Sequence, residues 1–168
     1  TLASSSIEAG LGDDSISLSV LSGSTISAGS GADSITIAKG VSSEVYTNQG
    51  NDSISLSGDS TSSTLNGGQG GDSITVGGNV TEGNIVGNSG ADSINIVGTV
   101  NTAYVTGGAD NDSMTLGAVV GGTVGGQYGA DTLLVNGKVT GAQVLMTSAG
   151  DPNSSSDKAD SLTVAGSM

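Results

Sequence analysis

The dipeptide Asp-Ser, once Asp-Thr, forms a periodic series of eight in this chain, with the Asp at positions 14, 33, 52, 72, 92, 112, 131 and 160. The steps between them are 19, 19, 20, 20, 20, 19 and 29 residues. So short and regular a step is too small for paired-helix repeats. It suits one coil of a β-solenoid, in which each repeat buries its apolar face against the next. The expected fold is therefore all-β, a parallel β-solenoid or β-roll of about eight coils of 19–20 residues over the 168-residue chain. Residues 1–141 read as seven such coils. Residues 142–168 read as an irregular terminal coil whose insertion, 152–159, is a surface loop or a junction to a following domain.

Alignment on the Asp turns the sequence into columns. Two residues after it stand Ile16, Ile35, Ile54, Ile74, Ile94, Met114, Leu133 and Leu162, and four after it stand Leu18, Ile37, Leu56, Val76, Ile96, Leu116, Val135 and Val164. Hydroxyl-bearing residues such as Ser15, Ser17, Ser34 and Thr36 alternate with them, which is the period of a strand with one apolar face. Seven residues before the Asp a second inward column runs Ile7, Ile26, Val45, Leu65, Ile85, Val105 and Val124. Two residues earlier the same face carries small side chains, Ser5, Ser24, Ser43, Ser63, Gly83, Ala103 and Gly122, as closely approaching walls require. A third, looser inward column is expected eight residues after the Asp, at Val41, Val80, Val100, Val120 and Val139. Gly is expected at the corners, where φ must be positive.

A Gly-rich turn precedes each of the first seven Asp. Its fullest form is Gly67-Gly68-Gln69-Gly70-Gly71-Asp72-Ser73-Ile74-Thr75. This stretch resembles, at every fixed position, the Gly-Gly-x-Gly-x-Asp-x-apolar-x nonapeptide of the RTX (repeats-in-toxin) calcium-binding β-roll family. Ala28-Gly29-Ser30-Gly31-Ala32-Asp33 and Gly87-Asn88-Ser89-Gly90-Ala91-Asp92 are close variants, while Gly107-Gly108-Ala109-Asp110-Asn111-Asp112 has Asp110 in place of the third Gly. The resemblance implies a row of Ca²⁺ ions along one edge, held by turn carbonyls and by Asp14, Asp33, Asp52, Asp72, Asp92, Asp112 and Asp131. It departs from the family in having one such corner per coil instead of two, so ions are expected on one edge. The alternative for these carboxylates is to cap turn amides without a metal.

Electrostatics points to a cation independently. Carboxylates stacked ~4.8 Å apart repel by about 0.9 kcal/mol per pair in water and by ~3.5 kcal/mol at an effective dielectric of 20. Summed over seven Asp, this rivals the ~5–15 kcal/mol net stability of a domain. Ca²⁺ accepts 6–8 oxygens in loose geometry and needs neither His nor Cys. Asp151, Asp157 and Asp160 near the insertion read as a solvated acidic loop.

Composition removes whole classes of function. With no Cys, His or Arg, the chain lacks zinc-finger, Cys/His and Ser/His/Asp chemistry. The three Glu (Glu8, Glu44, Glu82) hold no recurrent place, and no enzymatic activity is expected. A net charge of −13 opposes phosphate backbones, so nucleic acid is not an expected partner. No run approaches the ~20 apolar residues of a membrane helix, and no membrane insertion is expected. Since it begins at Thr1, the chain reads as a piece of something longer.

The expected function is a calcium-stabilised structural or adhesive repeat segment of a large secreted bacterial surface protein, of surface-layer, adhesin or filament type. The resemblance implies type I secretion and folding outside the cell. Other copies or neighbouring domains stacked end to end are expected partners, since open coil ends are unpaired strand edges. The alternative is a surface or glycan recognition module of an adhesin or phage fibre, using Tyr46, Tyr104 and Tyr128. The 19-residue one-sided arrangement also resembles the solenoid of certain ice-binding adhesins. The irregular residues at the matching loop places, among them Leu11, Gln49, Ala109 and Tyr128, speak against ice binding there.

Overall fold

A computed structural model describes residues 1–146 and 160–166. Among these residues the chain is a parallel β-solenoid with two walls. The first wall contains Ser15–Ser22, Ser34–Val41, Ser53–Leu56, Ser73–Val76, Ser93–Asn101, Ser113–Val120, Thr132–Val135 and Ser161–Val164, and forms part of a twelve-stranded sheet. The second is an eight-stranded sheet running from Ser6–Leu11 through Thr25–Ser30, Glu44–Gln49, Thr64–Gln69, Asn84–Ser89, Tyr104–Ala109 and Thr123–Tyr128 to Gln143–Leu145.

Register is like on like. Ile74 pairs with Ile54 on one side and Ile94 on the other, and Ile85 lies between Leu65 and Val105. The strands pair this way because a one-residue slip would turn every apolar side chain outward. The columns two and four after the Asp are fully buried from Ile35 and Ile37 to Leu133 and Val135, and the column seven before it is buried from Ile26 to Val124. At the C-terminal end Leu162 and Val164 carry the same columns but are 48% and 38% exposed, so the stack ends on an open apolar face. Beyond the insertion, which lies outside the described residues, Leu162 pairs with Leu133, and the terminal strand rejoins the ladder.

The third column requires correction. Val80 and Val100 are fully buried, but Val120 is 42% exposed and Val41 is half-buried. In coils with a 19-residue step the inward position falls one residue earlier, at Leu21, Gly40 and Val119. Register shows why: Ile96 pairs with Leu116 but Thr99 pairs with Ala118, so the extra residue of the longer coil bulges at Val97 and Gly98. Downstream of the bulge, Val100 pairs with Val119 and Val120 faces out.

The small-residue column is a hydrogen-bonded spine over its first four coils. Ser24, Ser43 and Ser63 are buried, and each Oγ donates to the carbonyl two residues back, on Ser22, Val41 and Thr61. Each also accepts from the N–H of the Ser one coil before, at 3.1–3.4 Å. Serine thus satisfies two backbone groups in a space that would hold a methyl. The corner just before this spine is left-handed without glycine in most coils: Ser4, Ser42, Ser62, Glu82 and Thr102 have φ between +47° and +53°. Each costs ~1–2 kcal/mol, and only the stacked coils on either side hold them there.

Candidate metal centre

The seven expected Asp, with Asp160 as an eighth, stand in one vertical column. Because Asp, +2 and +4 share a strand face, the carboxylates point inward with the core, and Asp33, Asp52, Asp72, Asp92, Asp112 and Asp131 are each no more than 3% exposed. Asp14 and Asp160, at the two ends, are half-buried. The edge is therefore an internal column of carboxylates.

From Asp33 onward, one oxygen of each carboxylate is committed. The N–H of Asp14 donates to Asp33 Oδ1, Asp33 to Asp52, Asp52 to Asp72, Asp72 to Asp92, Asp92 to Asp112, Asp112 to Asp131 and Asp131 to Asp160, at 2.7–2.9 Å. This is amide capping, but between coils and not within one turn as an Asx-turn would have it. The second oxygens differ. Among the described residues, Oδ2 of Asp14, Asp33, Asp52, Asp72, Asp92 and Asp112 is buried and meets no hydrogen-bond donor. A buried carboxylate oxygen without a donor is costly, and the column repeats that cost in every coil.

Opposite each Oδ2, five residues before the Asp, the second wall opens. Its ladder pairs Val86 with Thr106 and Asn88 with Gly108 but skips Gly87 and Gly107, and the same column is skipped throughout this wall. The skip follows from the turn, in which residues four and two before the Asp have positive φ, at Gly68 and Gly70 (+101° and +117°) and equally at Asn88 and Gly90 (+82° and +115°). The freed carbonyl faces the carboxylate column in at least one coil, since the buried Thr47 hydroxyl donates to the Gly67 carbonyl at 2.5 Å.

Side-chain size at this column varies along the stack. It reads Ala9, Ala28 and Thr47, then Gly67, Gly87, Gly107 and Gly126. A Cβ placed on any of the four glycines would collide with Oδ2 of Asp72, Asp92, Asp112 or Asp131. The last four coils thus have their carboxylates pressed against bare backbone, while Thr47 fills the step before them with its own hydroxyl. Gly107→Ala is expected to destabilise the fold by about 1–3 kcal/mol, the cost of overpacking a close-packed site, read as a lowered urea midpoint in calcium with an unchanged slope.

The chain matches no protein-family model, curated protein or solved structure. Its chemistry rests on the carboxylate column itself.

Burial, opposed in part by the hydrogen bond from the neighbouring coil's N–H, pushes Asp72 up to about 7, with the Asp92 and Asp52 charges adding to the rise. Asp112 is raised to about 7 and Asp92 to about 6, again chiefly by burial. These three belong to the first three of the four glycine-lined coils. Near neutral pH these carboxylates are only partly protonated, and the donor set available for a cation is carboxylate and carbonyl oxygen. That set fits a hard divalent ion of loose geometry and offers nothing to a metal that prefers nitrogen or sulfur.

The carboxylate column and its spacing are readable in the sequence. The outer rungs are not singled out there: Asn51 and Asn111 Oδ1 accept the N–H of Gly71 and Ala130 one coil on, as Asp13 accepts that of Ala32. At the far corner, Asp59 and Asn79 accept from Asn79 and Thr99 in the same way. An Asn or Asp recurring at coil spacing is the signal that marks such rungs.

Proposed function

We propose that this chain is a calcium-stabilised structural or adhesive repeat segment of a large secreted bacterial surface protein, and that it completes its fold outside the cell when Ca²⁺ enters the Asp column. The observation that carries this reading is the inward column of Asp33, Asp52, Asp72, Asp92 and Asp112, each with one oxygen fixed by the coil before it and the other buried without a donor. A dication between successive coils would take these oxygens together with the carbonyls of the opened column. It would supply positive charge where stacked carboxylates otherwise repel, and would join each coil to the next. The glycine coils, from Gly67 to Gly126, enclose three such steps and are the expected principal sites.

Such a device belongs to a rod whose stability is set by its surroundings. Where calcium is scarce the Asp column is uncompensated, and where it is millimolar mass action favours the coiled form. Export in an unfolded state agrees with the same linkage, and the resemblance to RTX repeats suggests a type I route. The open apolar end at Leu162 and Val164 suits a continuing coil, a capping domain or a second copy. Direct measurement of bound calcium tests the reading. Equilibrium dialysis followed by metal analysis is expected to give about three or more Ca²⁺ per chain at millimolar calcium, and less than one ion per chain would overturn it.

A further inference from the structure

We propose that the outer face of the second wall carries a binding site for a neutral pyranose sugar between Tyr104 and Tyr128, an addition to the calcium reading that does not depend on it. Along most of this wall the outward columns are small or polar. Eight residues before the Asp they read Ser6, Thr25, Glu44, Thr64, Asn84, Tyr104 and Thr123. The turn column three before the Asp places Tyr128 one coil further along. Two exposed phenols in adjacent coils therefore interrupt the repetition at one place, 38% and 47% exposed.

Between them lies an open cleft of about 390 Å³ lined also by Asn88, Ser89, Thr106 and Gln127. Gln127 Nε2 donates to the Tyr104 hydroxyl at 2.7 Å. Since Gln127 pairs with Gly108, four residues along the strand from Tyr104, this bond draws the phenol lengthwise along the wall past Thr106. Thr106 is only 3% exposed at the cleft floor, although it faces outward, and its Oγ1 meets no partner among the described residues. The result is an aromatic ring laid along the sheet, a second at the cleft's end, and amide and hydroxyl groups between.

The lining selects the ligand class. None of its residues is charged, and a chain of net charge −13 repels anions, so phosphorylated or carboxylated ligands are disfavoured. No carboxylate lines the cleft to hold a cation. A peptide strand has no free edge to pair with in mid-wall, because Tyr104–Ala109 is bonded on both sides. A pyranose has what remains: an apolar C–H face to lie on a phenol, and hydroxyls that both donate and accept toward the Asn88, Ser89 and Gln127 side chains.

Intrinsic fluorescence can test this, because the chain has three Tyr and no Trp. Maltohexaose, cellohexaose and N-acetylchitohexaose are titrated into the protein in millimolar calcium, with β-structure verified by circular dichroism for every variant. At least one is expected to give a saturable change. Tyr104→Ala and Tyr128→Ala should each weaken it roughly tenfold, the loss of one aromatic contact, while Tyr46→Ala leaves the affinity unchanged. Tyr104→Phe retains the ring and should retain most of the binding. Absence of a saturable change with all three sugars up to about 10 mM, the weak end of specific recognition, overturns the proposal. So does binding by the folded Tyr104→Ala and Tyr128→Ala proteins equal to that of the parent.

Discussion

Stripping calcium from the chain at pH 8 is expected to abolish most of its β-sheet circular dichroism, and adding millimolar Ca²⁺ to restore it. In the metal-free solenoid Asp72, Asp92 and Asp112, raised to about 6–7, have lost their protons by this pH, and each buried neighbour pair of charges repels by between about 0.9 and ~3.5 kcal/mol. Over the column this is comparable with the whole net stability of a domain of this size, ~5–15 kcal/mol, and burial of the charges adds to it. Calcium acts with the opposite sign. Three sites at a hundredfold excess over their dissociation constants contribute about 8 kcal/mol by mass action, since each contributes about 2.7 kcal/mol. The two terms together span the range from largely unfolded to stably folded. Magnesium should substitute poorly, because it demands near-octahedral ligands and keeps its water. A β spectrum and melting temperature equal in EGTA and in calcium would remove the Asp column from any role in folding.

How much of this is legible in the sequence depends on what each position contributes to the repeat. Ile74, Val76 and Ile85 are legible because strand alternation and like-on-like stacking act on the same residues, and a misplaced register would expose all of them together. Even the inward direction of Asp72 follows from its spacing to Ile74 and Val76, although a charge is more naturally imagined at an edge. Val41 and Val120 fall outside this logic. The 19- and 20-residue coils differ by one bulged residue; alignment of the apolar columns alone is silent about it, although a glycine stands six residues after the Asp, at Gly58, Gly78 and Gly98, in each coil with a 20-residue step. The left-handed corner at Ser42, Ser62, Glu82 and Thr102 is equally silent, since these residue types have no preference for positive φ and adopt it under pressure from the coils above and below. The contrast at the Asp turn is instructive: there glycine dominates two columns, and the sequence speaks plainly.

The grading of the Asp column is likewise visible only once the walls are assembled. Ala9, Ala28 and Thr47 sit in the same column as Gly67, Gly87, Gly107 and Gly126, but their importance depends on Oδ2 of the Asp five residues later lying against them. Sequence alone presents these as variable first positions of a degenerate motif. In the fold they divide the stack into a part where side chains occupy the wall facing the carboxylates and a part where that wall is bare. A solenoid tolerates this division because each coil contacts mainly its neighbours, so the two stretches can differ in ion dependence while sharing one core.

Replacing Asp72, Asp92 and Asp112 together by Asn is expected to have opposite effects in the two buffers. Asn keeps an Oδ1 to accept the N–H of the preceding coil's residue and has nearly the same volume, but it carries no charge. In calcium-free solution at pH 8 the variant should be the more stable protein, retaining more β-sheet circular dichroism than the parent, because three buried charges are gone. In calcium it should be the less stable one, because the glycine-lined steps have lost their anionic ligands. The pH dependence distinguishes this from a general change in packing. Asp72 and Asp112 stand at about 7 and Asp92 at about 6 in the metal-free fold, above the ~3.9 of an unfolded chain. The folded form therefore holds protons that the unfolded form releases. The stability this confers is complete below about pH 4 and is lost as pH rises through about 6–7. Calcium-stripped parent protein should accordingly be more stable at pH 5 than at pH 8, and the Asn variant should show little such change. A stability change of the same sign and size in both buffers would mean that the Asp side chains hold no ion.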